Sequence, residues 1–93
     1  MDFEWDDPKA EANERKHGVT FSEALTVFGD PISVTGYDPH HADDEDRFLT
    51  MGTSLDGRLL VVSHTDRGDS IRIISARVAT WRERKDYADG NSP

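Results

Sequence analysis

Cysteine is absent from all 93 residues of the sequence. This absence excludes disulfide bonds, zinc sites built on thiolates and a cysteine nucleophile, and it fits a reducing compartment. A chain of this length buries roughly two-thirds of the surface that it exposes when unfolded, so it needs no crosslink to fold. We therefore expect one domain over residues 1–88, followed by a disordered tail at residues 89–93.

Long apolar runs are also missing. No stretch approaches the ~20 apolar residues of a membrane-spanning helix. The amino terminus, MDFEWDD, is acidic where a signal peptide would be basic. The sequence therefore predicts a cytoplasmic protein.

Positive charge is scarce, with 11 Lys and Arg against 19 Asp and Glu and a net charge of −8. The summed field repels phosphate at long range, which argues against indiscriminate binding to nucleic acid. Any such role must depend on a local patch, and one segment supplies it. Between Arg67 and Lys85 lie six of the eleven cations, opposed only by Asp69 and Glu83. These six cations are Arg67, Arg72, Arg77, Arg82, Arg84 and Lys85.

The cationic segment combines a strand with a helix. Its first half, Ile71 to Arg77, is rich in β-branched residues over a strand's length. Thr80 is followed three positions later by Glu83, the pattern of a capping box, so we expect a helix from Trp81 to about Tyr87.

The amino-terminal part predicts a short strand and two helices. The strand covers Phe3 to Trp5. The first helix is predicted to have Asp7 as its N-cap and Pro8 as its first residue, and to run to about His17, before Gly18. A second capping box, Thr20 with Glu23, opens the second helix, which runs to Gly29.

Extended segments fill the remainder. An Asp56-Gly57 pair between apolar runs is a strong hairpin signal, and Arg67, Gly68 and Asp69 form the next turn. The segment Asp38–Asp46, DPHHADDED, is predicted as a surface loop. The predicted strands are Ile32–Tyr37, Phe48–Leu55, Arg58–Thr65 and Ile71–Arg77. Together these elements indicate an α+β fold in which two amino-terminal helices pack on a twisted antiparallel sheet of about four strands, with a carboxy-terminal helix.

The order of several short motifs resembles one known family. FEWD comes near the start, KHG closes the first helix, VFGD closes the second, and RIISAR is followed by AT, ER and a final Tyr. This order and spacing resemble the BrnT toxins of type II toxin-antitoxin pairs. The resemblance implies a RelE-like fold, RNA cleavage without a metal or other cofactor, and inhibition of translation. It also implies neutralisation by a BrnA-like ribbon-helix-helix antitoxin, through which the complex binds operator DNA.

Metal-free RNA cleavage needs a base, an acid and cations around the reacting phosphate. Arginine suits the cationic role because its planar fork binds phosphate through paired hydrogen bonds. Arg67, Arg72 and Arg77 lie at or near strand ends and could converge on one phosphate. The alternative is that each arginine pairs with an acidic neighbour.

The candidates for proton transfer each have a structural alternative. His64 shares a strand face with Leu60 and Val62, where a histidine is typically a satisfied core residue. Glu83 is explained by its capping box, whereas Tyr87 lies one turn later on the same helix face. RelE-like nucleases often use Arg, Lys and a carboxy-terminal Tyr, so the resemblance favours Tyr87. The predicted catalytic set is Arg72, Arg77, Tyr87, His64 and Glu83.

Other residues are predicted to contact RNA. His17 is also explained as a cation at a helix carboxy terminus. Trp81 could stack on a base, while Trp5 is expected in the core. The predicted RNA-binding set is Arg47, Arg67, Lys16, His17, Trp81, Arg82 and Arg84.

The acidic loop raises two further hypotheses. His40 and His41 with the nearby carboxylates are possible metal ligands by residue type, but their spacing matches no known site, so no metal is predicted. The sequence pI of about 4.7 instead suits docking of a basic antitoxin on this loop or on the first helix. A binding module of the same fold without catalysis is the alternative function.

Overall fold

The fold is a five-stranded sheet with helices on both faces. The computed structural model describes residues 1–39 and 45–90. The strands are ordered β1-β5-β4-β3-β2 across the sheet. Along the chain the elements are β1 (Asp2–Glu4), α1 (Asp7–His17), α2 (Phe21–Ala24), a 3₁₀ helix (Leu25–Gly29), β2 (Val34–Asp38), β3 (Arg47–Thr53), β4 (Leu59–Arg67), β5 (Ser70–Val78) and α3 (Trp81–Ala88).

The sheet is mixed, which corrects the prediction of an antiparallel sheet of about four strands. Strands β2 to β5 form the expected antiparallel meander. Strand β1 adds a fifth strand parallel to β5, with Phe3 opposite Ile71. Parallel strands need a long connection between them. The chain between β1 and β5 contains α1, α2, the 3₁₀ helix and strands β2 to β4.

Helix α1 begins one residue earlier than predicted. Asp6, not Asp7, is the N-cap, and its carboxylate accepts a hydrogen bond from the Lys9 amide at 3.1 Å. The helix ends as expected at Gly18, whose φ of 68° is left-handed. Buried Asn13 fixes α1 to the sheet, because its side chain bonds both the carbonyl and the amide of Ala76.

The second predicted helix is a short α-helix that continues as a 3₁₀ helix. Helix α2 ends at Ala24, and Leu25–Gly29 forms the 3₁₀ helix. Thr20 caps α2 by accepting from the Glu23 amide, but the Glu23 carboxylate bonds Arg58 and Ser54. Only half of the predicted capping box is therefore formed, because the carboxylate makes charge-assisted bonds elsewhere.

The two faces of the sheet are covered unequally. Helices α1 and α2 and the 3₁₀ helix cover one face, which we call the helical face. Helix α3 covers only one end of the other face, where Tyr87 packs on Met51, Leu59 and Val61. We call the rest of that second face the open face. Strand alternation and register assign to it Ser63, Thr65, Arg67, Arg72, Ser75 and Arg77. The core of the helical face is Val19, Phe21, Ala24, Val27, Leu60, Val62, Ile73 and Ala76.

Two predicted irregular segments are only partly described. Asp38 belongs to β2 rather than to a loop, and the Asp46 carboxylate accepts from the Tyr37 hydroxyl at 3.1 Å. His40, His41, Asp43 and Asp44 lie outside the described residues. In the predicted tail, Asp89 and Gly90 donate backbone bonds to α3, and residues 91–93 lie outside the description. No helix within the described residues is long and apolar enough to cross a membrane.

Candidate functional site

A β-bulge brings Arg72 and Arg77 to the same face of the sheet. They are five residues apart, so a regular strand would direct their side chains to opposite faces. Arg77 pairs with Val61 and Arg72 with Thr65, and the register shifts between them where Ile74 is the extra residue. Because positions four apart on β4 share a face, both arginines lie on the open face.

The floor between these arginines carries hydroxyl groups. The four positions from Val61 to Thr65 separate the two arginine backbones by roughly 13 Å. Ser63 and Ser75 are directly paired between them. Two long guanidinium side chains thus flank a polar strip from opposite ends.

Each arginine of the open face is paired with a carboxylate. The Arg77 guanidinium donates two hydrogen bonds, of 2.7 and 2.9 Å, to the Glu83 carboxylate. The Arg72 guanidinium lies 3.8 Å from the Glu4 carboxylate. Arg67 binds Glu45 at 2.7 Å. All three arginines are therefore paired with carboxylates, as the structural alternative held. Two of the partners, Glu4 on β1 and Glu45 before β3, are distant from the arginines in sequence.

Glu83 is held in its ionised form. Its hydrogen bonds from Arg77, followed by those from Thr80, lower its pKa to about 2 against the effect of burial. The capping box with Thr80 is complete, as predicted. A carboxylate with so low a pKa is a weak base, so Glu83 is better suited to orienting Arg77 than to accepting a proton.

Tyr87 faces the sheet but lies away from Arg72. Its ring packs in the cluster under α3, and its hydroxyl donates to the Ile32 carbonyl at 3.1 Å and the Asp30 carboxylate at 3.4 Å. Burial and then the Asp30 charge raise the pKa of Tyr87. The predicted grouping of Tyr87 with Arg72 is not formed, because Arg72 belongs to the opposite end of β5.

His64 lies on the helical face, behind the sheet from the arginines. It is 4% exposed, its Nε2 is 2.7 Å from the Thr50 hydroxyl, and Phe28 packs edge-on at 4.9 Å. Burial lowers its pKa, an effect opposed by the charge of Asp66. His64 is thus a core residue, as the alternative held, but it is only partly satisfied, because its buried Nδ1 makes no hydrogen bond within the described residues. The imidazole does not share a surface with Arg72 or Arg77.

Comparison with known proteins identifies the family. The family described as "Ribonuclease toxin, BrnT, of type II toxin-antitoxin system" matches residues 5–83. The chain belongs to the BrnT family. The 1.1 Å crystal structure of the ribonuclease toxin BrnT from Brucella abortus is similar, with 25% sequence identity, a TM-score of 0.64, and coverage of 86% of this chain and 97% of that one. A comparison with curated protein sequences found no match.

The resemblance to BrnT toxins drawn from the motifs is therefore confirmed, and membership of a type II family implies an antitoxin partner. Similarity to the Brucella abortus BrnT structure also supports the α+β architecture, with the corrections given above.

The other residues that were predicted to contact RNA lie in separate parts of this BrnT protein. Trp81 is 75% exposed at the start of α3, and Arg82 and Arg84 are exposed on the same helix. Lys16 and His17 end α1, on the helical side of the sheet. Arg47 begins β3 opposite Asp38, and Trp5 packs edge-on against Phe21 in the core, as predicted.

Several residues of the open face are not apparent from the sequence. Strand pairing brings Glu4, Ser63, Thr65 and Ser75 to this face. Glu45 reaches it through its ion pair with Arg67. One signal was available, because the adjacent Ile73 and Ile74 break the apolar alternation of β5, as a bulge does. The described residues contain no group of three or more potential metal ligands.

Proposed function

We propose that this BrnT protein is a metal-independent endoribonuclease that binds the scissile phosphate on the open face, between Arg72 and Arg77. One observation carries the proposal: the bulge in β5 directs both arginines to one surface, on which Ser63 and Ser75 lie between them. The family's description as ribonuclease toxins supports the choice of RNA as substrate. A surface of arginines with hydroxyl groups fits a phosphodiester better than it fits an apolar ligand.

In this reaction the RNA supplies its own nucleophile. The 2′-oxygen forms a bond to phosphorus and the bond from phosphorus to the 5′-oxygen breaks, leaving a 2′,3′-cyclic phosphate. The 2′-hydroxyl loses a proton and the departing 5′-oxygen gains one. Arg72 and Arg77 stabilise the negative charge that builds on the phosphate oxygens, the role of preorganised cations in phosphoryl transfer.

Glu83 is a positioning residue in this proposal. Its two bonds to Arg77 hold the guanidinium plane on the open face. His64 has no part, because it lies on the helical face. Tyr87 acts through the fold by tying α3 to Asp30 and Ile32.

The RNA is proposed to extend beyond the scissile phosphate. Arg67 and Arg47 would contact it at the end of the open face that is remote from α3. Trp81, Arg82 and Arg84 would contact it from α3, with Trp81 stacking on a base.

The partner is proposed to be a BrnA-like ribbon-helix-helix antitoxin that blocks cleavage and binds operator DNA. An acidic protein suits a basic segment of such a partner. Cleavage of RNA to inhibit translation would take place in the cytoplasm, carried out by residues 1–88 as one domain.

Cleavage of RNA in excess EDTA tests the proposal. Wild-type protein freed of antitoxin should leave 2′,3′-cyclic phosphate ends. Arg72→Ala and Arg77→Ala should each reduce the rate by about 10²-fold or more, because each loses one cation from the transition state. Arg15→Ala is the matched control, since it removes an exposed cation from α1 on the helical side.

A binding module without catalysis is the second candidate, favoured by the ion pairs that engage Arg67, Arg72 and Arg77. Intact RNA at every salt concentration, with tight antitoxin binding retained, would decide for this alternative. Cleavage abolished by EDTA would contradict the metal-independent mechanism.

A further inference from the structure

The hydroxyl of Thr65 is a buried donor without a partner on the open face. Thr65 is 2% exposed, and its Oγ1 makes no hydrogen bond to the described part of the protein. Thr50, 1% exposed on the neighbouring strand, makes an instructive comparison. Its hydroxyl lies 2.7 Å from both the Thr35 hydroxyl and the His64 ring. Leaving a hydroxyl buried and unpaired costs free energy, so folding alone does not account for threonine at position 65.

The neighbours of Thr65 on the open face are long cationic side chains. Arg72 is its partner in register on β5, and Arg67 lies two residues further along β4. Helix α3 packs at the other end of this face, on Met51, Leu59 and Val61. The side chains next to Thr65 are therefore long arginines, which can change rotamer. A residue of the helical face is instead covered by a helix.

Carboxylates hold these two guanidinium groups in the free protein. Arg72 is 3.8 Å from Glu4, and Arg67 is 2.7 Å from Glu45. Both pairs are partly exposed, and such pairs are weak enough for another anion to replace the carboxylate. The phosphodiester of RNA is such an anion, because its two non-bridging oxygens share one negative charge and can accept paired hydrogen bonds from a guanidinium, as a carboxylate does.

We propose that Thr65 and Arg72 form a phosphate-binding subsite of the open face, in which the Thr65 hydroxyl donates to a phosphate oxygen of the bound RNA. The phosphate takes the place of Glu4 on Arg72, and the movement of the guanidinium uncovers the hydroxyl. Arg67, released from Glu45, contacts the RNA next to this phosphate. This inference rests on the proposed function and adds to it a binding residue, Thr65, that makes no bond until substrate arrives.

Substitution with valine separates this role from a structural one. Valine has the shape of threonine and lacks only the hydroxyl, so Thr65→Val should fold at least as stably as wild type in urea. Its affinity for a single-stranded RNA should fall by on the order of tenfold or more, the usual effect of losing a bond to a charged group. Thr65→Ser should restore binding because it restores the donor.

Thr50→Val is the matched control, since it deletes a buried hydroxyl of the same kind on the helical face. It should be less stable than wild type, because it leaves Thr35 and His64 short of a partner. Once folded, it should bind RNA as wild type does. Equal RNA affinity for wild type and Thr65→Val would overturn the subsite, and so would a loss of stability in Thr65→Val matching that of Thr50→Val.

Titration with inorganic phosphate keeps this test apart from the test of cleavage. In NMR spectra, the backbone amides of Thr65 and Arg72 should shift with phosphate in the wild type and in Thr65→Ser, and much less in Thr65→Val. If wild-type protein does not cleave RNA, the proposed nuclease function fails while the titration still decides the subsite. Identical shifts in all three proteins would rule the subsite out.

Discussion

Glu83 joins a helix cap and an arginine of the open face through one carboxylate. Its Oε1 accepts from both the Thr80 amide at 2.9 Å and Arg77 at 2.7 Å, and its Oε2 accepts from Arg77. The start of α3 and the orientation of Arg77 are therefore fixed together. A change at this carboxylate should affect both the stability of the fold and the chemistry of the open face.

Replacing Glu83 with Gln should remove a pH-dependent part of the stability. The folded-state pKa is about 2, below the unfolded value of roughly 4.3. A lowered carboxyl pKa stabilises the fold above the unfolded pKa, and this contribution is lost as the pH falls through the folded pKa. The wild type should thus exceed Glu83→Gln by about 1–2 kcal/mol near pH 7, a figure reduced for solvent screening of the partly exposed Arg77.

Urea unfolding of both proteins between pH 7 and pH 2 measures this difference. It should shrink as the pH falls from about 4.3 towards 2. Glu11→Gln, which removes an exposed carboxylate from α1, serves as the control. A difference that stays constant with pH would mean that Glu83 stabilises the fold by packing rather than by charge.

At the scale of elements, the 3₁₀ helix and β3 approach closely enough to require glycine at position 52. A Cβ on Gly52 would lie 2.8 Å from the Ser33 Cβ and 2.9 Å from a Val27 methyl. The same contact positions the Asp30 carboxylate, which accepts from the Thr53 amide at 2.8 Å and from the Tyr87 hydroxyl. These bonds, the Thr53 amide first, lower the pKa of Asp30. The close approach therefore also secures α3.

Gly52→Ala should destabilise the protein by about 1–3 kcal/mol, the usual effect of overpacking a core. Gly29→Ala is the matched control, since a Cβ there meets nothing within 4 Å. Thermal unfolding should show a lower midpoint for Gly52→Ala alone. Equal midpoints for the two variants would show that the chain at residues 27–33 relaxes without cost.

At the scale of the whole molecule, acidic charge favours a basic protein partner over free RNA. The net charge of −8 gives a repulsive field for nucleic acid. On the open face the described carboxylates Glu4 and Glu45 already engage Arg72 and Arg67. Helix α1, by contrast, presents the exposed carboxylates Asp7, Glu11 and Glu14.

Charge reversal should show which acidic surface binds the antitoxin. One variant carries Glu11→Lys and Glu14→Lys and tests α1. A second carries Asp43→Lys, Asp44→Lys and Asp46→Lys and tests the acidic segment between β2 and β3. The variant on the true interface should bind the antitoxin more weakly in low salt, because like charges then oppose, and the loss should diminish in high salt. Unchanged affinity of both variants in low salt would exclude an acidic docking surface.

The sequence by itself determined the features that depend on neighbouring residues. The αL cap at Gly18, the capping box of Thr80 with Glu83, and the turn at Gly57 with a φ of 85° all appear where the local pattern predicts them. Each requires only hydrogen bonds or backbone freedom within a few residues, so the local pattern contains the necessary information. The order of motifs likewise indicated the BrnT family.

Only the tertiary structure decided which side chains share a surface. The parallel pairing of β1 brings Glu4 to Arg72 across 68 positions of the chain. The bulge at Ile74 brings Arg72 and Arg77 to one face, while strand alternation keeps His64 on the other. A strand's side chains change faces with a one-residue shift in register, and register depends on packing between distant segments. The arginines of the candidate site could therefore be proposed from the sequence, whereas the side chains that lie beside them, and the arrangement of the site, could not.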